Sequence, residues 1–271
     1  MSTSAPAFPS PTGQLSQGLP PGITPGKTVR ACKYFFLPLE TLFTSTTGEQ
    51  TFNQSQTVDF PVNVRGATTN LSLNNRVEIN EPSKFQFSFA YMPFGSIVYR
   101  TNNVQQYNWW IKPYPLAARQ PLQAQFINDN GDPDGFLMMF CEKADTYQPI
   151  TITQGAKPYW LTIDWKYTGA GQTVVTATNQ QIGMDLLILG ATYSGNLSAN
   201  TFQVTDLTLN YQWSNNFFLP EFFFGIEGQI NPVLKYPSPY FLPANGKLQI
   251  QTNNISGLTA TEHISFYCIA L

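Results

Sequence analysis

Leu122-Gln-Ala-Gln-Phe-Ile-Asn128 and Leu248-Gln-Ile-Gln-Thr-Asn-Asn254 are one strand written twice, 126 residues apart. In both, glutamines alternate with less polar side chains and the run ends on asparagine, the pattern of a half-buried strand closing on a turn. Cysteines follow both copies near the ends of the next predicted strands, Cys141 and Cys268, at an offset of 127. Working outward, Lys33-Tyr-Phe-Phe-Leu37 matches Lys157-Pro-Tyr-Trp-Leu161, and Gly66-Ala-Thr68 matches Gly190-Ala-Thr192, both at an offset of 124. Asn70-Leu-Ser72 pairs with Asn196-Leu-Ser198 at 126, and Pro113-x-Pro115 with Pro237-x-Pro239 at 124. The matches keep their order along the chain with only small gaps, which is the mark of a tandem duplication.

Between these markers the side chains follow period two. Phe85, Phe87, Phe89 and Tyr91 alternate with Gln86, Ser88 and Ala90, and Leu207, Leu209, Tyr211 and Trp213 with Thr208, Asn210 and Gln212. Such runs predict half-buried strands. Similar runs predict strands at 57–64, 77–80, 136–141, 160–165, 174–178, 186–189, 248–252 and 264–269. No segment joins a 3.6-residue apolar stripe to helix caps. An aromatic share of 14% with 21 Pro and 19 Gly fits many short strands joined by turns. The expected fold is all-β: two tandem jelly-roll-like β-sandwiches from an internal duplication, at residues 30–145 and 146–271, each with about eight strands. An extended Pro-rich N-terminal arm, residues 1–29, precedes them. The linker is expected at Glu142 to Gly155, where Thr146, Tyr147, Gln148 and Pro149 break the strand pattern.

The arm has no charged side chain from Met1 to Gly26 and carries Pro6, Pro9, Pro11, Pro20, Pro21 and Pro25. Proline fixes φ and removes amide donors, so the segment should be extended and able to lie across a neighbouring molecule. The whole chain has 271 residues, 14 Lys+Arg against 16 Asp+Glu, and only 11% charged residues. With a neutral arm and a net charge of -2, no basic field exists to neutralise a phosphate backbone, so nucleic acid is not an expected partner. No apolar run approaches the ~18 residues of a membrane helix, so no membrane insertion is expected. The N-terminus has neither the charged and apolar regions nor the cleavage site of a secretory signal, so no export is expected. Cys32, Cys141 and Cys268 are too few for a disulfide framework and read as buried free thiols.

The residues that catalysis would need are missing. His263 is the single histidine, which removes His-rich metal sites and Cys/His zinc clusters. There is no dinucleotide or phosphate-binding glycine motif, no C-x-x-C and no G-x-S-x-G. No enzyme activity and no cofactor are expected. A β-sandwich glycosidase would need two distant carboxylates to converge. The loop Asp129-Asn-Gly-Asp132-Pro-Asp134-Gly135 offers three carboxylates, Asp129, Asp132 and Asp134, to a hard cation. Its spacing is not that of an EF-hand, and Asn-Gly and Asp-Gly are equally residues of tight turns.

The aromatic clusters point to contact surfaces. Tyr107-Asn-Trp109-Trp110 and Phe217-Phe218-Leu-Pro-Glu-Phe222-Phe223-Phe224 would serve as interface anchors or as stacking platforms for a sugar. Consecutive aromatics at Phe222, Phe223 and Phe224 point to both faces of a strand, so one face must meet something beyond its own core, either the sister module or another subunit. With the arm prolines Pro6, Pro9, Pro11, Pro20 and Pro21, the candidate interface residues are Trp109, Trp110, Phe222, Phe223 and Phe224.

The stretch from Phe223-Phe-Gly-Ile-Glu through Pro237-Ser-Pro-Tyr-Phe-Leu-Pro-Ala-Asn-Gly246 to Asn253-Asn254, closed by an apolar strand, resembles the end of small β-sandwich virion proteins of tailed bacteriophages. A Pro-rich turn, a Pro-Ala-Asn/Gly kink, a strand and an Asn-Asn turn carry the likeness, with a degenerate echo at Pro113 to Cys141. The duplication departs from that group, whose members have single modules. Two tandem jelly rolls are similar instead to the double jelly-roll major capsid proteins of tailless viruses with internal membranes, a likeness of architecture alone. The resemblance implies a capsid, minor capsid or decoration protein, assembled in the host cytoplasm into virions, with other virion proteins and further copies of itself as partners. An adsorption or carbohydrate-binding module using Trp109 or Trp110 is the alternative.

Overall fold

The period-two segments form strands in the computed structural model, which describes residues 19, 23–41, 51–82, 85–86, 91–101, 104–129, 131, 135–167, 173–194, 200–214, 216–220, 224, 226–227, 233–254 and 261–271. No α-helix occurs among them; two 3-10 turns lie at Phe94–Ser96 and Ala144–Thr146. In the first half the strands are β1 (Thr28–Ala31), β2 (Tyr34–Thr41), β3 (Thr51–Thr57), β4 (Val62–Thr69), β5 (Arg76–Glu81), β6 (Phe85–Gln86), β7 (Met92–Pro93), β8 (Val98–Thr101), β9 (Val104–Leu116), β10 (Pro121–Ile127) and β11 (Gly135–Lys143). The second half holds β12 (Gln148–Thr151), β13 (Lys157–Lys166), β14 (Thr173–Thr178), β15 (Leu186–Ser194), β16 (Asn200–Asp206), β17 (Tyr211–Gln212), β18 (Leu219–Pro220), β19 (Ile226–Glu227), β20 (Leu234–Leu242), β21 (Leu248–Asn254) and β22 (Thr261–Ala270).

The main strands of the sheets repeat in order, although among the described residues β8 beside β9 and the short β19, parallel to β15, have no counterparts. In the first half the orders are β2-β11-β4-β9-β8 and β3-β10-β5-β6, and in the second they are β13-β22-β15 with β20 beside β15, and β14-β21-β16-β17. Each of these four sheets draws its strands from one half of the chain. In each half the strand that opens one sheet (β2, β13) pairs with the last strand (β11, β22), which pairs in turn with β4 or β15, while the second-to-last strand (β10, β21) lies in the other sheet. This is the jelly-roll arrangement, and the chain makes it twice. The register repeats as well. Cys141 stands opposite Phe35 and Cys268 opposite Tyr159; Phe140 stands opposite Gly66 and Tyr267 opposite Gly190. A bulge falls at both glycines, between Val64 and Gly66 and between Ile188 and Gly190. The duplicated Gly-Ala-Thr therefore marks a bend in β4 and β15 that admits the neighbouring strand. The structure corrects one pairing: Val64 faces Tyr114 and Ile188 faces Tyr240, so Pro113-Tyr114 corresponds to Pro239-Tyr240 and not to Pro237.

Two large clusters of buried side chains result. One lies between the sheets of the first half, around Leu37, Leu39, Val64, Val77, Phe94, Phe126, Leu137 and Met139. The other fills the second half and continues across the seam to include Tyr34, Phe36, Tyr107, Met138 and Phe140. A third cluster joins Ala31 and Ile152 to Leu187 and Ile269, with Leu19, Ile23 and Val29 packed against it.

Three local expectations are corrected. Residues 207–210 are an exposed turn and not the start of a strand, because the Asp206 carboxylate accepts the backbone N–H groups of Thr208 and Leu209 at 2.9 and 3.2 Å, and Asn210 takes a φ of 47°. The predicted strand at 57–64 is split, since β3 ends at Thr57 and β4 begins at Val62. The linker is not without strand: Gln148–Thr151 pairs antiparallel with Thr28–Ala31 and makes a small sheet of its own.

Candidate assembly surfaces

Successive side chains of β2 point to opposite faces, so Tyr34-Phe35-Phe36 cannot all lie in one core. Phe35, Leu37 and Leu39 enter the first core, whereas Tyr34 and Phe36 enter the second. β11 divides the same way, with Leu137, Met139 and Cys141 inward and Met138 and Phe140 outward. The outer face of the first module's sheet is thus packed against the second module.

The seam is aromatic. Tyr34 lies 5.2 Å from Trp213, 4.9 Å from Tyr236 and 5.3 Å from Tyr240, ring centre to ring centre, and Phe36 lies 4.7 Å from Phe224. Phe140 meets Phe36 edge-on at 5.3 Å and stacks on Tyr236 at 5.7 Å. Such pairs favour tilted, edge-on or offset geometry, which fixes orientation as well as burying area. β2 is also the edge strand of its sheet, and its free side is satisfied from across the seam. Phe36 N–H donates to the Trp213 carbonyl at 2.7 Å and Cys32 N–H to the Pro239 carbonyl at 3.0 Å, while the Tyr211 hydroxyl donates to the Tyr34 carbonyl at 2.7 Å. The Tyr34 hydroxyl donates to the carbonyls of Ser238 and Ile188 at 2.5 and 3.2 Å. An edge that would invite pairing with another chain is covered inside the molecule.

Burial holds these hydroxyls neutral. It pushes Tyr34 well above the usual phenol range, with Cys32 and Tyr236 adding to the effect, and raises Tyr236 and Tyr240 likewise. At Tyr240 the charge of Asp206 adds to burial, and the hydroxyl donates to the Asp206 carboxylate at 2.7 Å. The first module repeats that pair more loosely, with Tyr114 raised by burial and by the nearby buried Glu81. Glu142, at the end of β11, is buried. It accepts the Tyr147 hydroxyl at 2.5 Å and faces Arg65 at 3.4 Å, while the Arg30 guanidinium lies 3.8 Å over the Tyr147 ring. These contacts tie the linker to the first module. A cleft of about 360 Å³ opens beside the seam between Cys32, Lys33, Gln148, Tyr240 and Phe241. Lys33 is the one charged side chain in its lining.

The candidate residues fall in different places. Pro6, Pro9, Pro11, Pro20, Pro21, Phe222 and Phe223 lie outside the described residues. From the arm, Leu19 and Ile23 pack on Leu187 and Ile269, and Gly26 N–H donates to the Ile152 carbonyl at 2.8 Å. Trp109 stacks on Tyr107 at 4.9 Å and meets Phe140 edge-on at 5.2 Å, so its ring is engaged at the seam. Trp110, one residue on, packs against the first core. Phe224 is buried and bridges the modules, 4.5 Å from Phe202 and 4.7 Å from Phe36. Asp129 forms a two-pronged ion pair with Arg76 at 2.7 and 2.8 Å, which holds its carboxyl below the usual range, and Asp132 and Asp134 lie outside the described residues. Among the described residues no three His, Cys, Asp or Glu side chains gather as metal ligands. His263 sits half-buried on β22 opposite Asp164 and Ser194. The three cysteines are free and buried.

Sequence reasoning offered contact with the sister module only at Phe222, Phe223 and Phe224, of which Phe224 lies at the seam, and missed the part of β2 in it and the face that matches it. By register, Trp160 of β13 corresponds to Phe36 and Tyr267 of β22 to Phe140. Their rings pair at 5.1 Å as Phe36 and Phe140 do, yet Trp160 is 39% exposed. The signal was present in Tyr34-Phe-Phe36, where three consecutive aromatics require two buried faces.

No protein-family model matches the chain, and no curated protein matches it. Among solved structures, a chain of Sulfolobus turreted icosahedral virus aligns over 90% of this chain at 11% identity with a TM-score of 0.26. This chain covers 60% of that chain's length. The two jelly rolls are assigned from strand order and register in this molecule.

Proposed function

We propose that this protein is a virion structural protein of the capsid or capsid-associated kind, acting by assembly and not by turnover. The observation that carries the reading is the fused pair of jelly rolls: one sheet face is spent on joining the modules, and its duplicate faces outward with an aromatic pair still on it. A rigid two-module block with a repeated contact face is suited to a lattice, where the same heterologous contact recurs many times. Residues 1–29 serve as a lacing arm that is anchored on the molecule itself through Leu19, Ile23 and Val29, and residues 30–145 and 146–271 as the two modules. Its partners are other virion proteins and further copies of itself, met during assembly in the host cytoplasm.

The chemistry of the side chains supports this reading over an enzyme. The buried carboxylates of Asp206, Glu142 and Glu262 are each committed to structural partners: Tyr240, Tyr147 with Arg65, and the Trp165 indole at 3.3 Å. A sugar platform is less well supported, because Trp109 is already stacked within the molecule. A net charge of -2 over the chain leaves lateral contacts without strong repulsion.

The test is the protein's copy number in gradient-purified particles, by quantitative mass spectrometry, for the full chain and for a form lacking residues 1–26. Abundance matching the principal shell protein assigns it to the lattice or its regular decoration, and a few copies assign it to a vertex. The truncated form should fold and fail to incorporate. Absence of the full chain from particles overturns the reading, and full incorporation of the truncated form removes the arm from it.

A further inference from the structure

We infer that the outward face of β13 and β22 binds a second copy of this chain, seated on that copy's first module as the first module here is seated on the second. The inference deepens the assembly reading by naming the partner and the surfaces, and it rests on the duplication.

The intramolecular seam is an interface whose two sides are both on the page. One side is the outer sheet face carrying Tyr34, Phe36 and Phe140; the other is the strip of β20 and β17 carrying Tyr236, Ser238, Tyr240 and Tyr211. Duplication supplies each side a second time, and the register identifies it. On the second module, Pro158, Trp160 and Tyr267 stand where Tyr34, Phe36 and Phe140 stand on the first. On the first module, Trp110, Lys112 and Tyr114 of β9 stand where Tyr236, Ser238 and Tyr240 stand on the second.

Both duplicates are more open than their counterparts. Trp160 is 39% exposed where Phe36 is buried, and Trp110 and Tyr114 are half-buried where Tyr236 and Tyr240 are buried. Lys112, on the same face of β9 as Trp110 and Tyr114, is exposed. β13 is an edge strand like β2, and among the described residues its ladder partner is β22 alone. In β2 the corresponding edge is closed by Trp213 and Pro239 from the sister module. An open edge strand beside an exposed aromatic side chain is an interface awaiting its partner. The rest of that sheet's outer face, around Leu187 and Ile269, is already covered by Leu19, Ile23 and Val29.

Because donor face and acceptor strip lie on different modules, the contact is heterologous and each copy can give one and receive one. Trp160→Lys disables the donor face and Lys112→Glu the acceptor strip. Both side chains are exposed, so both variants should keep the wild-type circular dichroism. In sedimentation velocity the full chain should assemble beyond the monomer, and each variant alone should lose at least tenfold in association. An equimolar mixture of the two variants should form dimers and stop there, since one intact donor meets one intact acceptor. The pair Pro158→Cys and Lys112→Cys, which copies the Tyr34–Ser238 contact, should give disulfide-linked oligomers under mild oxidation, and the pair Pro158→Cys and Thr176→Cys should not. A monomeric full chain at all concentrations, variants that assemble like wild type, a mixture that stays monomeric, or equal cross-linking of both cysteine pairs overturns the inference. Particle copy number is read separately. An abundant particle protein whose variants incorporate and associate like wild type would sink this inference and leave the virion reading standing.

Discussion

Gly66 and Gly190 show at the residue scale why the duplication remains visible. A Cβ on Gly190 would sit within the van der Waals shell of the Leu234 carbonyl and 2.6 Å from Val233 Cγ1, and one on Gly66 would lie 2.5 Å from the Asn108 carbonyl oxygen. At both positions strands β4 and β15 bulge so that the neighbouring strand can approach, and no larger residue fits. Gly190→Ala should therefore cost about 3 kcal/mol through backbone displacement. Gly155→Ala, where a Cβ would meet nothing within 4 Å, should be neutral or slightly stabilising. Urea midpoints of the two variants compare them directly, and equal midpoints would contradict the bulge account. These glycines were legible in the sequence as repeated triplets, but their reason was not, because a close approach between strands distant in the chain leaves no local mark.

At the scale of elements, the strands with strict alternation were legible and the turns after them were less so. β10 and β21 read correctly from Leu-Gln-x-Gln, since burial on one face alone imposes the period. The run Leu207 to Trp213 has the same period and is not one strand, because Asp206 intervenes. Its carboxylate accepts two backbone N–H groups of the turn and the Tyr240 hydroxyl, all from a buried position. The apolar side chains beyond it, Leu207 and Leu209, are left 40% and 45% exposed. An acidic residue two and three positions before the amides it caps was a readable turn signal that the alternation outweighed. Asp206→Ala removes all three acceptor contacts and strands buried donors, which should cost about 3 kcal/mol. Asp206→Asn keeps an oxygen for the turn and should cost about 1 kcal/mol. Chemical denaturation of both variants checks the order; an alanine variant within about 0.5 kcal/mol of wild type would show that the turn holds without its cap. The seam was not legible as such, because its partners, β2 with β17 and β20, lie far apart in the chain and no period links them.

For the whole molecule, the seam makes the two jelly rolls one unit, and its chemistry sets an alkaline limit. Tyr34, Tyr107, Tyr236 and Tyr240 are buried, and burial raises each above the ordinary 10.0 of a phenol. Cys32, Cys141 and Cys268 are raised by burial above the ordinary 9.0 of a thiol. Raised acids keep their protons in the folded chain while the unfolded chain loses them. Their contribution to stability is therefore fully present below the ordinary values and is lost as pH climbs beyond them. Each such group tilts the balance by about 1.4 kcal/mol per pH unit, so together these groups remove on the order of 10 kcal/mol for each unit above pH 10. Against a domain stability of about 5–15 kcal/mol, the fold should be lost within roughly one and a half units above pH 10. Six of the groups, all but Cys141, belong to the cluster that spans the seam, so both modules should unfold in one transition. Tryptophan fluorescence and far-ultraviolet circular dichroism, followed from pH 8 to 12 at constant ionic strength, should trace a single coincident curve. Native spectra persisting at pH 12, or two separated transitions, would mean that the seam does not couple the modules through its neutral tyrosines.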